Sequence, residues 1–228
     1  MAHRLKQYER MSVLPLFPLN QVVFPGQRQA LHIFEPRYRQ LVQETRDNGT
    51  PFGIALIREG QEVGGSATTH DIGCAVQLRH LEGLPDGRYN IICQGVQRFR
   101  VLEPLGADPY LRAEVEFLPE PQDANDEPVA GLSPAVAAQF RRYSALALAL
   151  QDSWQREVPH PIRPVFLADY IAARLDVSTQ VKQEVLGEPT AFRRLEFLLR
   201  VLQKENQSLA QRLLLHRRHK LHGLGAGN

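Results

Sequence analysis

The sequence predicts an α+β protein: a β-barrel over residues 12–118, then a C-terminal α-helical bundle over residues 133–222 that ends in a long terminal helix. Three observations carry this. Short runs rich in β-branched and aromatic residues, punctuated by turn residues, fill the first half. An acidic, Pro-rich stretch follows at 119–132, and beyond it apolar residues recur at helical spacing almost to the C-terminus.

The expected strands are Val13–Phe17, Val22–Phe24, Ala30–Phe34, Phe52–Ile57, Cys74–Leu78, Tyr89–Cys93, Val96–Leu102 and Leu111–Phe117. Turn chemistry separates them at Pro25-Gly26, Asn48-Gly49, Gly64-Gly65 and Pro85-Asp86-Gly87. So many short strands favour closure, because a closed sheet hides edges that would otherwise pair with other chains. One helix interrupts them: Glu35-Pro36 starts it, and Tyr38, Leu41 and Val42 share one face.

Residues 119–132 combine Pro119, Pro121 and Pro128 with Glu120, Asp123, Asp126 and Glu127, the composition of a solvated linker between domains. Ser133-Pro134 then supplies a capping hydroxyl and a helix-compatible first residue, and Val136, Phe140, Tyr143, Ala147 and Leu150 line one face. Further helices are expected over Val165–Leu175 and over Thr179–Leu186, the second capped by Ser178 and closed by Gly187. The last runs from about Thr190 to His222. Phe192, Leu195, Leu199, Leu202, Asn206, Leu209 and Leu213 fall on alternating three- and four-residue steps along it, a coiled-coil-like seam with one polar member. Two readings of that seam stand: packing within its own domain, or a homodimer interface in which Leu199, Leu202, Leu209 and Leu213 pack and Asn206 sets register.

No Gly-Lys pair exists, so no G-x-x-x-x-G-K-[ST] phosphate loop does, and no G-x-G-x-x-G is present. Ser66, in Gly64-Gly65-Ser66-Ala67-Thr68, lacks the second glycine of a nucleophile elbow and reads as a turn residue. His216, His219 and His222 sit among Arg217, Arg218 and Lys220, whose charge opposes a divalent cation; no metal site and no cofactor is expected. Cys74 and Cys93 read as reduced core thiols. No signal peptide or membrane span is read, so the cytoplasm is the expected location. The net charge of +2 hides an asymmetry: residues 193–228 hold eight Lys and Arg against two Asp and Glu. That basic tail is electrostatically suited to nucleic acid, though no aromatic residues are interleaved to stack bases.

Several blocks are recognisable in order: VLPLFPLNQVVFPGQRQALHIFEPRYRQLV, PFGIALIREGQEVG, IGCAVQLRHLEGLPDGRYNIICQGVQRFRV and FLADYIAARLDVSTQVKQEVLGEPTAFRRLEFLLRVLQKE. Over roughly residues 12–205 the chain resembles the Lon N-terminal domain family, in the form with an IFEPRY segment found in stand-alone bacterial members. The resemblance implies a PUA-like β-barrel followed by a helical bundle. It also implies a substrate-recognition arm that binds unfolded or exposed protein segments without ATPase or peptidase activity of its own, as an adaptor or quality-control factor. The alternative is RNA binding through the PUA-like barrel and the basic helix. The IFEPRY segment places Phe34, Glu35, Arg37 and Tyr38 at a strand-to-helix corner. Arg37 there can anchor a carboxylate or carbonyl while Phe34 and Tyr38 offer flat apolar surface; otherwise the two rings are core and the two charges satisfy local backbone. Gly95 and Arg98 also match the family pattern, with Gly95 expected in a tight turn and Arg98 in either a structural bond or a ligand contact.

Overall fold

A computed structural model describes residues 11–64, 67–153 and 163–225. Ser66, Pro159 and Pro161 lie outside the described residues, as do the side chains of His219 and His222. The chain divides into two compact units, Met1–Glu120 with Ala172–Gly187, and Pro121–Ile171 with Glu188–Asn228.

The first unit contains the strands β1 (Met11–Leu19), β2 (Arg28–Ile33), β3 (Phe52–Gly60), β4 (Ala67–Thr69), β5 (Ile72–Gly83), β6 (Tyr89–Gly106) and β7 (Arg112–Phe117), with helix α1 (Pro36–Asn48) after β2. Their order is β1-β7-β6-β5-β3, and parallel pairing of Leu16–Leu19 with Gly53–Leu56 joins β3 back to β1. Five strands therefore close a ring, as expected from sequence, with β4 and β2 attached outside it. One apolar cluster holds Leu14, Leu16, Ala55, Ala75, Phe99, Ala113, Val115 and Phe117. Phe99 is fully buried, and small residues make room for it: a Cβ on Gly53 would lie 2.8 Å from its ring, and one on Gly73 would lie 2.7 Å from the Ile54 carbonyl. A second cluster sets Tyr38, Leu41 and Val42 of α1 against Phe17, Ile33, Phe52, Ile91 and Cys93. The helix face anticipated from spacing is the buried one.

Two strand expectations are corrected. Val22–Phe24 forms no ladder although all three residues are buried. Its apolar run reflects burial of a loop that turns at Gly26 (φ +82°). Gly95 lies inside one continuous strand rather than in a turn between two. Gly26 N–H donates to the Gly95 carbonyl (2.8 Å), and Gly95 N–H to the Gln27 carbonyl (2.9 Å). A side chain at 95 would meet the Phe24 carbonyl carbon at 2.9 Å and Cys74 Sγ at 3.1 Å, so this glycine serves close backbone approach.

The remaining helices are η1 (Gln122–Asn125), α2 (Glu127–Leu150), α3 (Pro164–Arg174), α4 (Thr179–Gly187) and α5 (Ala191–Gly225). The stretch 119–132 is thus not a solvated linker throughout. Pro128 occupies a first-turn position that needs no N–H, and buried Val129 anchors the start of α2, so Pro134 falls inside the helix. Ser133 is no cap either; its hydroxyl donates back to the Val129 carbonyl at 2.7 Å. Ser178 does cap α4, accepting from Val181 N–H at 3.3 Å. That helix groups with the sheet rather than with the other helices. Gln183 Nε2 donates to the Ile72 carbonyl (2.9 Å), and Val185 and Leu186 are buried.

In the second unit α2 and α5 run parallel. The Asp123 carboxylate accepts from Ala191 N–H (2.9 Å) and Phe192 N–H (3.0 Å), Asn206 bonds to Gln139, and His216 stands 3.8 Å from Asp152, so position advances together on both segments.

Candidate functional site

The strand-to-helix corner splits the candidate residues by role. Tyr38 is 4% exposed, its ring 4.0 Å from that of Phe17, and burial pushes its hydroxyl pKa up. Arg37 lies over the Tyr38 ring at 4.6 Å and pairs with Glu35 at 3.0 Å. Glu35 also accepts from Gly64 N–H at 3.2 Å, tying the corner to the loop after β3. Phe34 alone faces outward, 46% exposed. Glu35, Arg37 and Tyr38 thus bond or pack within the corner, and Phe34 presents apolar surface.

Arg98 is elsewhere. It lies on β6 nine residues beyond Tyr89, which pairs with Ile33, so roughly 30 Å of strand separates it from Phe34. Its side chain is 6% exposed and Nε donates to the Leu186 carbonyl at 3.0 Å, satisfying an orphan acceptor at the C-terminal end of α4.

Spacing along the sequence does not reveal what lies beside Phe34. β2 pairs only with β6 among the described strands, in unbroken antiparallel register from Arg28↔Gln94 to Ile33↔Tyr89. Because Gly95 N–H reaches the Gln27 carbonyl, alternation directs the main-chain groups of Gln29, Leu31 and Ile33 to β6. Those of Arg28, Ala30 and His32 then face away, and all three residues are exposed. Edge strands are commonly blunted by Pro, a charge, short length or a bulge; Arg28–Ile33 is short and has Arg28 at its start, but carries no Pro and no bulge along Gln29–Ile33. The signal was present in the sequence only as an unremarkable strand, since which strand is left at an edge depends on pairings far along the chain.

A polar network stiffens the outer face here. His32 Nδ1 lies 2.8 Å from Asn90 Oδ1, and Arg88 Nη1 lies 3.3 Å from His32 Nε2. Donation from Arg88 to Nε2 leaves the proton on Nδ1, where Asn90 accepts it. Asn90 in turn donates to Glu82 at 3.2 Å. Phe34 stacks near His32 with ring centres 6.2 Å apart, and Ile92, pairing with Ala30, adds an exposed apolar side chain.

The seam on α5 is occupied within the chain. Leu195 and Leu202 are fully buried, Leu209 and Leu213 nearly so, whereas Leu199 is half-buried and Phe192 is 37% exposed. Asn206 Nδ2 donates to the Gln139 carbonyl (3.1 Å) and to Gln139 Oε1 (2.8 Å), so the polar member of the seam is matched on α2 of its own chain. No cluster of metal-ligating side chains occurs among the described residues, and no described helix is long and apolar enough to cross a membrane.

Comparison with known proteins agrees with this architecture. The family model of the ATP-dependent protease La (LON) substrate-binding domain matches residues 13–204. Lon protease of Anaeromyxobacter dehalogenans is 28% identical over 200 residues, which are 87% of this chain and 24% of that protein. Lon protease of Paraburkholderia phytofirmans is 30% identical over 205 residues, again 24% of its length, so the chain spans about a quarter of these relatives. A Lon N-terminal domain protein from Xanthomonas campestris aligns with a TM-score of 0.58 at 26% identity, covering 82% of this chain and 97% of that one. The N-terminal domain of the Mycobacterium avium complex Lon protease shares the fold, with a TM-score of 0.60 at 18% identity and 86% and 98% coverage. The chain belongs to the LON substrate-binding domain family.

Proposed function

We propose that the protein is a non-catalytic module that binds extended, non-native polypeptide segments, taking them as an added strand along β2 with an apolar side chain against Phe34. The observation that carries this reading is the edge at Arg28, Ala30 and His32, whose main-chain N–H and C=O groups face away from β6, with Gln29 Nε2 donating to the Ala30 carbonyl at 3.1 Å. An extended backbone can pair there regardless of its sequence once that side chain yields. Sequence tolerance is what a receptor for non-native chains needs. An adaptor or quality-control role in the cytoplasm fits such a receptor, and the lack of a phosphate loop in the sequence supports an absence of ATPase activity.

Magnitudes set the expected affinity. Each main-chain hydrogen bond contributes about 0.5–1.5 kcal/mol net, while ordering each residue of a flexible peptide costs about 1–2 kcal/mol. The edge alone therefore comes out near balance, and covering the exposed parts of Phe34 and Ile92 supplies the surplus. Binding is weak, roughly in the micromolar to millimolar range.

The test uses fluorescently labelled unfolded peptides and the Ala30→Pro variant. The Ala30 N–H points away from β6, so proline there removes no ladder bond, as edge positions tolerate. It does remove a donor that an added strand needs. Binding is expected to weaken at least tenfold in Ala30→Pro with its unfolding midpoint kept, and Phe34→Ala to weaken peptides with aromatic or aliphatic residues. Unchanged peptide affinity in Ala30→Pro overturns the strand-addition reading. RNA binding that falls steeply with salt and is lost on truncation after Asn206 would favour the basic helix as the functional surface instead.

A further inference from the structure

A cavity of about 380 Å³ opens between α2 and α5, lined by Gln139, Arg142, Gln203, Asn206 and Gln207. Four of its five residues carry amides and the fifth a guanidinium, unlike the apolar contacts elsewhere between these helices. Asn206 is 2% exposed, and its Nδ2 is committed to two acceptors of Gln139, which fixes the orientation of the amide. Its Oδ1 is buried with no hydrogen-bond partner among the described residues. Leaving a buried acceptor unpaired costs about 1–3 kcal/mol, so this position calls for a donor. Arg142, exposed on the same lining, has no hydrogen-bond or ion-pair partner among the described residues.

The two demands together select a ligand class. It must present an N–H donor to Asn206 Oδ1 and an anion to Arg142 within one small volume. Sulfate brings acceptors only, hydrogen phosphate offers an O–H but no flat carboxylate edge to match the guanidinium, and a cation is repelled by it. A planar carboxylate beside an amide N–H meets both demands, since guanidinium and carboxylate match in geometry and glutamine amides both donate and accept. We propose that this cavity binds the C-terminal residue of a polypeptide, its carboxylate on Arg142 and its last amide N–H on Asn206 Oδ1. Because Oδ1 is fully buried, binding there requires an exposed side chain of the lining, Gln203 or Gln207, to move aside. The site is separate from the β2 edge and does not rest on strand addition there.

Calorimetric titration of the full chain with an N-acetylated hexapeptide, as free acid and as C-terminal amide, tests the assignment. The acid is expected to bind at least tenfold more tightly than the amide. Arg142→Ala should bring the acid down to the level of the amide, with Arg142→Lys in between. Asn206→Leu should weaken acid and amide alike, because both carry the last amide N–H, and should lower the unfolding midpoint through the two lost bonds to Gln139. Ala30→Pro should leave all of this unchanged. An internal aspartate in the amide peptide that restores full affinity would overturn the claim for a chain terminus. Equal affinity for acid and amide, no binding of the acid at millimolar concentration, or wild-type binding by Arg142→Ala would overturn the site altogether. Arg142 is exposed, so its variants decide the matter even if Asn206→Leu fails to fold.

Discussion

Cys93 and Tyr110 give the first unit an alkaline limit. Cys93 is fully buried on β6 and burial pushes its thiol pKa from 9 up to about 12. Tyr110 is raised to about 12 by burial and then by its hydrogen bond to Glu44. Both folded values exceed the unfolded ones, so the stabilisation is complete below about pH 9 and is lost as pH rises through 9 to 12. The Glu44 carboxyl is held low, chiefly by that same Tyr110 bond, so its contribution is present above the usual carboxylate range and is lost in acid. The urea midpoint is expected to fall between pH 9 and 12. Cys93→Ala should cost about 1 kcal/mol at pH 7 yet flatten the alkaline fall; an equal slope in the variant would show that Cys93 does not set it. At this scale the sequence was informative about residue type and silent about direction. Phe34 and Tyr38 are aromatic neighbours in one motif, and only the packing of Tyr38 on Phe17 distinguishes the buried ring from the exposed one.

Among elements, the helices were legible where the signal was local and misplaced where the partner was distant. Ser178 and Gly187 bracket α4 within ten residues, and both ends were readable. The N-terminus of α5 is fastened by Asp123, 68 residues earlier in sequence and inside what composition marks as linker. No local pattern reveals such a cap. Asp123 satisfies two orphan N–H groups with a carboxylate at the positive end of a long helix, so Asp123→Ala is expected to cost about 1–2 kcal/mol, and Asp123→Asn to recover part. Chemical denaturation measures this, and a change below about 0.3 kcal/mol would mean that solvent replaces the cap without loss. The strands follow the same rule. Alternation located most of them, but Gly95 and Val22–Phe24 were misread because contact between those two segments, not either sequence alone, fixes their conformations.

At the scale of the whole molecule, the unit built around the barrel is discontinuous in sequence. A boundary at the acidic stretch is natural from composition, yet residues Ala172–Gly187 return to the unit formed by the first 120. The bonds from Arg98 Nε to the Leu186 carbonyl and from Gln183 Nε2 to the Ile72 carbonyl hold them there, together with buried Val185 and Leu186. A fragment ending at residue 120 exposes the apolar surface that covered those side chains and returns Arg98 to solvent. Burying one such aliphatic side chain is worth about 1.5–3 kcal/mol, so losing two with a charged hydrogen bond removes several kcal/mol, a large share of a marginal domain's stability. The expectation is that residues 1–120 alone unfold at clearly lower urea than the same fragment joined by a Gly/Ser linker to residues 172–187. A linker of about 15 residues has a root-mean-square span of roughly 20 Å, which leaves the docking of α4 free to form. In the linked form, Arg98→Ala should undo much of the gain, because its buried surroundings were built around a guanidinium that caps α4. Identical midpoints for the two fragments would mean that the barrel is complete without α4 and that a break near residue 120 is energetically silent.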